Sequence, residues 1–168
     1  TETCQYYAFF TGVANKADYP ALFETVLTSF GPLRSADVYP NIPRSNAFIG
    51  NFLRLETLDR YGEEETILRE FTPYFGRMSE RTGTLWENND PHASCCHGFA
   101  SYICVLYAKI AFGYLGFDET DKTIILRENF RLSGSARFPV PGGFVSIEIT
   151  NGTRVVSIPD GYELKIVK

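Results

Sequence analysis

The stretch Gly83-Thr84-Leu85-Trp86-Glu87, followed by Asn88-Asn89-Asp90-Pro91-His92-Ala93 and Ser94-Cys95-Cys96-His97, gathers the side chains best suited to chemistry. It contains the only Trp of the chain, an acid directly after it, and both His residues. Asn, Asp, Pro and Ser, all turn formers, fill the space between them. Trp is the largest apolar side chain and Glu is among the groups most expensive to dry out, so such a loop is costly to keep without a purpose. Glu87 is placed to act as a general base on water. His97, entering an apolar helix, would be kept neutral by the helix dipole, and a neutral imidazole both donates and accepts hydrogen bonds with hydroxyl groups. That combination suits a carboxylate-driven reaction on a sugar. His92, between Pro91 and Ala93, reads as an ordinary loop residue. Glu2, Gln5, Tyr6 and Tyr7 could line the same mouth, although alone they read as a plain amphipathic helix start.

The elements that must position these groups fall into two regions. Residues 1 to about 116 carry helical periodicity, and 117–168 read as a small β domain. The first helix is expected from Glu2 to Val13. The second runs from Asp18 as cap, with Pro20 in its first turn, to Phe30. The third opens at Ser45 or Asn46 and carries Phe48, Phe52, Leu55 and Leu58 to Tyr61. A fourth begins at Glu63-Glu64-Glu65, with a kink or break expected at Pro73. A fifth, from Ser94 to Phe112, has Phe99, Ile103, Leu106 and Ile110 as its apolar stripe. Strands are expected at Thr123–Leu126, Ser135–Phe138, Phe144–Thr150, Arg154–Ile158 and Glu163–Val167, with Asn151-Gly152 as a type I′ turn and the prolines bounding strands.

The first, third and fifth helices begin with polar side chains and are apolar around more of their circumference, as inner helices are. The second and fourth begin with solvated acids. This alternation predicts about five helices in antiparallel hairpins, forming part of an (α/α)6 toroid, followed by a small antiparallel β-sandwich. A flat bundle is the alternative.

Composition bounds the function. A net charge of −4 argues against nucleic acid and anionic membranes as partners, and no apolar run reaches membrane-spanning length. The surplus of 14 Phe and 10 Tyr suits ring stacking on pyranose faces or, equally, a large packed core. The four Cys lie in no metal or redox spacing and read as thiols of a reducing setting. Asn151-Gly152-Thr153 matches a glycosylation acceptor, though its turn role explains it more simply. No signal peptide is visible, and the compartment stays undetermined.

A glycosidase needs two carboxylates, set about 6.5–9.5 Å apart if it inverts configuration. Glu56, Glu70 and Glu80 read as ordinary helix-surface acids, so no second acid matches Glu87 in context. The expectation is a piece of a longer chain whose proton donor lies before Thr1. Four stretches, in order, carry a family resemblance: Glu2-Thr-Cys-Gln-Tyr-Tyr-Ala-Phe-Phe10, Ser45-Asn-Ala-Phe-Ile-Gly-Asn51, Arg81-Thr-Gly-Thr-Leu-Trp-Glu87 and Ser94-Cys-Cys-His-Gly-Phe-Ala-Ser101. They resemble the C-terminal portion of α-L-rhamnosidases of glycoside hydrolase family 78.

The resemblance implies a toroid followed by a short β domain, an inverting hydrolase of terminal α-L-rhamnosides, and no cofactor or metal. It implies Glu87 as general base, His97 touching the rhamnose and Trp86 shaping the subsite; Glu2 and Gln5, read from their place at the mouth, are the further substrate-binding candidates. The partner would be a rhamnose-containing glycoside or oligosaccharide. Where the family commonly has Ser-x-Asn-His, this chain has Ser94-Cys95-Cys96-His97, and a thiol replaces an amide that donates and accepts. The segment alone is expected to lack turnover and to self-associate through exposed helix flanks. A non-catalytic carbohydrate-binding or structural helical module, and an unrelated α+β protein, are the competing readings.

Overall fold

The computed structural model describes residues 1–168 and divides them into two compact units, Thr1–Ile103 and Cys104–Lys168. The division falls inside the last helical stretch, ahead of the boundary expected near residue 116.

The first unit is helical. Helix α1 (Glu2–Phe10) is capped by the Thr1 hydroxyl, which accepts from the Cys4 amide at 3.2 Å. Helix α2 (Pro20–Thr28) starts on Pro20, whose fixed φ and missing N–H suit a first turn. Helix α3 (Ile49–Arg60) buries residues around most of its circumference, including Asn51, Leu53, Arg54, Leu55 and Leu58. It packs mainly on α1. Tyr6, Phe9, Phe23, Val26, Phe30 and Leu53 form the core of these three helices, and Phe9 and Phe23 meet edge to face.

Helix α4 (Glu64–Glu70) passes into a π-helical segment (Phe71–Gly76) and then α5 (Arg77–Thr82). Pro73 lies inside the π segment. It has no N–H for the carbonyl four residues back, and the ladder widens there instead of continuing. The expected break at Pro73 therefore takes the form of a register change. Gly83, at φ 72°, ends α5 in the left-handed region.

This architecture corrects the expected toroid. The helices do not form stacked antiparallel hairpins. They are short, α1 packs on α3 more than on its neighbour α2, and long irregular stretches separate α2 from α3 and α5 from the next helical turn. The single long fifth helix is also absent. Residues 94–97 lie outside any helix, and a 3-10 turn (Gly98–Ser101), helix α6 (Tyr102–Tyr107) and a π segment (Ala108–Phe112) follow.

The second unit holds six strands in two three-stranded sheets: β1 (Tyr114–Asp118), β2 (Thr123–Arg127), β3 (Gly134–Val140), β4 (Gly143–Thr150), β5 (Thr153–Ser157) and β6 (Glu163–Val167). One sheet has the order β1-β2-β6 and the other β3-β4-β5. The expected purely antiparallel arrangement is corrected by β6, which pairs parallel to β2. Strand β1 is additional to the strands expected from the sequence. Pro139 lies within β3 rather than beyond it. Strand β3 is an edge strand, where a missing N–H breaks no ladder. The β4–β5 turn has Asn151 at φ 51° and Gly152 at φ 75°, the type I′ signature. Ile124, Leu126, Val145, Ile147 and Ile149 form this unit's core with Ala111 and Phe112.

Candidate functional site

Past Gly83 the chain leaves the helix and folds back on residues 94–97. The Glu87 amide donates to the Ser94 carbonyl and the His97 amide to the Leu85 carbonyl, both at 2.9 Å, and the Thr84 hydroxyl bonds the Cys95 carbonyl. These backbone bonds hold the segments carrying Glu87 and His97 together in one clasped loop. Both are half-buried, and neither the carboxylate nor the imidazole is engaged by a hydrogen bond or ion pair within the chain.

Trp86 is wholly buried, its Nε1 donates to Thr82 Oγ1 at 2.8 Å, and the guanidinium groups of Arg77 and Arg81 lie over its ring. It anchors the loop to α5 and has no face open to a ligand.

The loop is also fastened to the start of α3. The Glu87 carbonyl accepts from the Ala47 and Phe48 amides at 3.0 and 3.2 Å. Asn89 Nδ2 donates to the Ser45 carbonyl at 3.0 Å, and Asn89 Oδ1 accepts from the Tyr74 hydroxyl. Asn51 Nδ2 donates to Tyr74 Oη at 3.2 Å. Burial pushes the Tyr74 phenol well above its ordinary range, so it remains a neutral donor.

Glu2 belongs to this framework. It is wholly buried; Oε2 accepts from the Ser45 amide at 3.0 Å and from the Tyr6 hydroxyl at 3.4 Å, and Oε1 lies 3.1 Å from Arg34 Nε. Glu2 therefore ties the start of α1 to the irregular segment ahead of α3, which begins at Ile49 and not at the expected Ser45 or Asn46. Gln5 is half-buried, and Tyr7 is exposed. His92 is exposed, its amide bonded to Asp90 Oδ1 at 3.1 Å.

Aromatic rings border the Glu87–His97 pair. The His97 ring packs edge-on to Phe48 at 4.8 Å, Phe48 meets Phe99 at 6.1 Å, and Phe99 meets Phe52 at 5.0 Å. Phe99 is 47% exposed, the opposite of the stripe residue expected from helical spacing. The cause is local: His97 is extended at φ −112°, ψ 99°, and Phe99 sits in a four-residue 3-10 turn where the α period does not apply. The same geometry corrects the dipole argument for His97, since no α-helix begins there. The role of Phe99 was readable only once that turn was known.

Glu56 accepts from the Tyr102 hydroxyl, and burial, then Glu56, raise the Tyr102 phenol. Glu70, expected on a helix surface, is buried and grips Arg54 through two bonds, Nε to Oε2 at 3.0 Å and Nη2 to Oε1 at 2.7 Å. No group of three or more His, Cys, Asp or Glu gathers to hold a metal ion, and all four Cys are free thiols. No helix is long and apolar enough to cross a membrane. No family model, curated protein or solved structure matches the chain.

Proposed function

We propose that the chain supplies the general base and one wall of the sugar site of an inverting glycoside hydrolase acting on terminal α-L-rhamnosides. The observation that carries the reading is the backbone clasp that holds Glu87 and His97 on one loop, with both side chains half-buried and uncommitted. In this reading Glu87 takes a proton from water as that water attacks the anomeric carbon. His97 exchanges hydrogen bonds with a ring hydroxyl, and the exposed face of Phe99 supports the C–H side of the pyranose. Trp86 and Glu2 act through the scaffold: one packs beneath the loop, the other ties α1 to Ser45. The proton donor is assigned to none of these residues.

A non-catalytic sugar-binding role is the second reading. It is favoured by the rings of Phe48, Phe99 and Phe52 that continue from His97, a platform that needs no second carboxylate. Calorimetric titration with L-rhamnose tests both. Binding should survive Glu87→Gln and weaken about tenfold in His97→Ala and in Phe99→Ala. Absence of heat in the unaltered chain would sink both readings. Hydrolysis of an aryl rhamnoside that persists in Glu87→Gln would remove Glu87 from the base role and leave the binding reading standing.

A further inference from the structure

Away from the loop, the end of α2, the 31–38 segment and the end of α4 enclose a cleft of about 400 Å³. That lies within the range of small-molecule sites. Phe30, Leu33 and Val38 give it an apolar wall, and the hydroxyl of Thr28 with the cations Arg34 and Arg69 gives it a polar one.

The charges are unevenly compensated. The Arg34 side chain is 4% exposed, and its Nη1 is sealed from solvent with no hydrogen-bond partner. Its Nη2 donates to the Ile42 carbonyl at 2.7 Å, and Nε faces Glu2 Oε1 at 3.1 Å without hydrogen-bond alignment. Glu2 meanwhile also serves Tyr6 and the Ser45 amide through Oε2. A buried guanidinium with an N–H lacking an acceptor is only partly compensated, so its positive field reaches the cleft. At the rim, Arg69 is exposed, and its Nη2 gives only to Thr66 Oγ1 at 3.3 Å. The acids nearby are occupied: Glu70 by both Arg54 bonds, Asp37 by the Ser35 hydroxyl.

From this we infer that the cleft is a binding site for a compact organic carboxylate with an apolar body. The carboxylate pairs with Arg69 within the field of Arg34, and the apolar body lies on Phe30, Leu33 and Val38. The site is separate from the Glu87 loop and stands whether or not that loop acts on sugar.

The test is an amide-shift NMR titration of the full chain with phenylacetate and 3-methylbutanoate, each beside its primary amide. At least one acid should saturate, with shifts confined to residues 27–38 and 66–70, and its amide should bind about tenfold more weakly. Arg69→Gln, on an exposed side chain, should lose about tenfold in affinity at unchanged melting temperature. Val38→Asp should lose a similar amount by placing a like charge on the wall. Equal binding of acid and amide, retained affinity in either variant, or no saturation by either acid at millimolar concentration overturns the site.

Discussion

The carboxylates divide sharply by environment. Glu2 and Glu70 are buried and ion-paired, whereas Glu87 keeps its oxygens available at a half-buried position. A buried charge must be paired, so Glu70→Gln leaves Arg54 uncompensated and should cost about 3–5 kcal/mol in urea unfolding. Replacing Arg54 and Glu70 together by Met and Leu should recover most of that loss, because apolar packing often matches a buried ion pair. The phenols give a pH signature. Burial raises Tyr6 and Tyr74 above their ordinary value of 10.0, so the unfolded chain releases these protons first. Their contribution to stability is complete below the unfolded value and declines as pH rises through the folded ones. Thermal melts from about pH 9 to 11 should show falling stability, with a shallower fall in Tyr74→Phe.

Individual elements show where local pattern suffices and where it fails. The β4–β5 hairpin was legible because Asn-Gly specifies its own turn, and the break at Pro73 because a missing N–H has a fixed consequence. The stretch from Ser94 to Phe112 was not: apolar spacing reads as one helix, while backbone bonds from Glu87 and His97 hold its first residues extended. Tertiary pairing won over local propensity there. Gly113 illustrates a constraint invisible in the sequence. It sits at φ 73°, and a Cβ would come within 2.5 Å of Arg154 Nη1 and 3.0 Å of the Arg127 carbonyl. Arg154 Nη1 is itself bonded to the Phe112 and Arg127 carbonyls at 3.3 and 2.8 Å. Gly113→Ala should therefore destabilise by about 2 kcal/mol, read as a lowered midpoint in denaturant at unchanged slope.

For the molecule as a whole, the division into a helical part and a strand part was readable from periodicity, and the toroid was not. Alternate helices were read as inner from their polar starts, but Glu2 and Ser45 carry those polar groups for one buried contact, which needs no closed ring. Of the candidate site, the loop and its acid were legible from composition. The exposed Phe99 and the Tyr74–Asn89 fastening depended on contacts between distant segments. The expected self-association through helix flanks is a prediction of its own, since the exposed Val13, Val105, Val155 and Ile166 are scattered single residues. Light scattering should show mass rising with concentration, and a constant monomer mass would contradict that expectation.

The central claim is that Glu87 and His97 face one sugar. Intermolecular NMR contacts between L-rhamnose and the isotope-labelled chain test it most directly. The account predicts contacts from the sugar protons to the His97 and Phe99 rings and to the Glu87 side chain, lost in His97→Ala. Saturable binding whose contacts lie on other residues, with those three side chains silent, would contradict it.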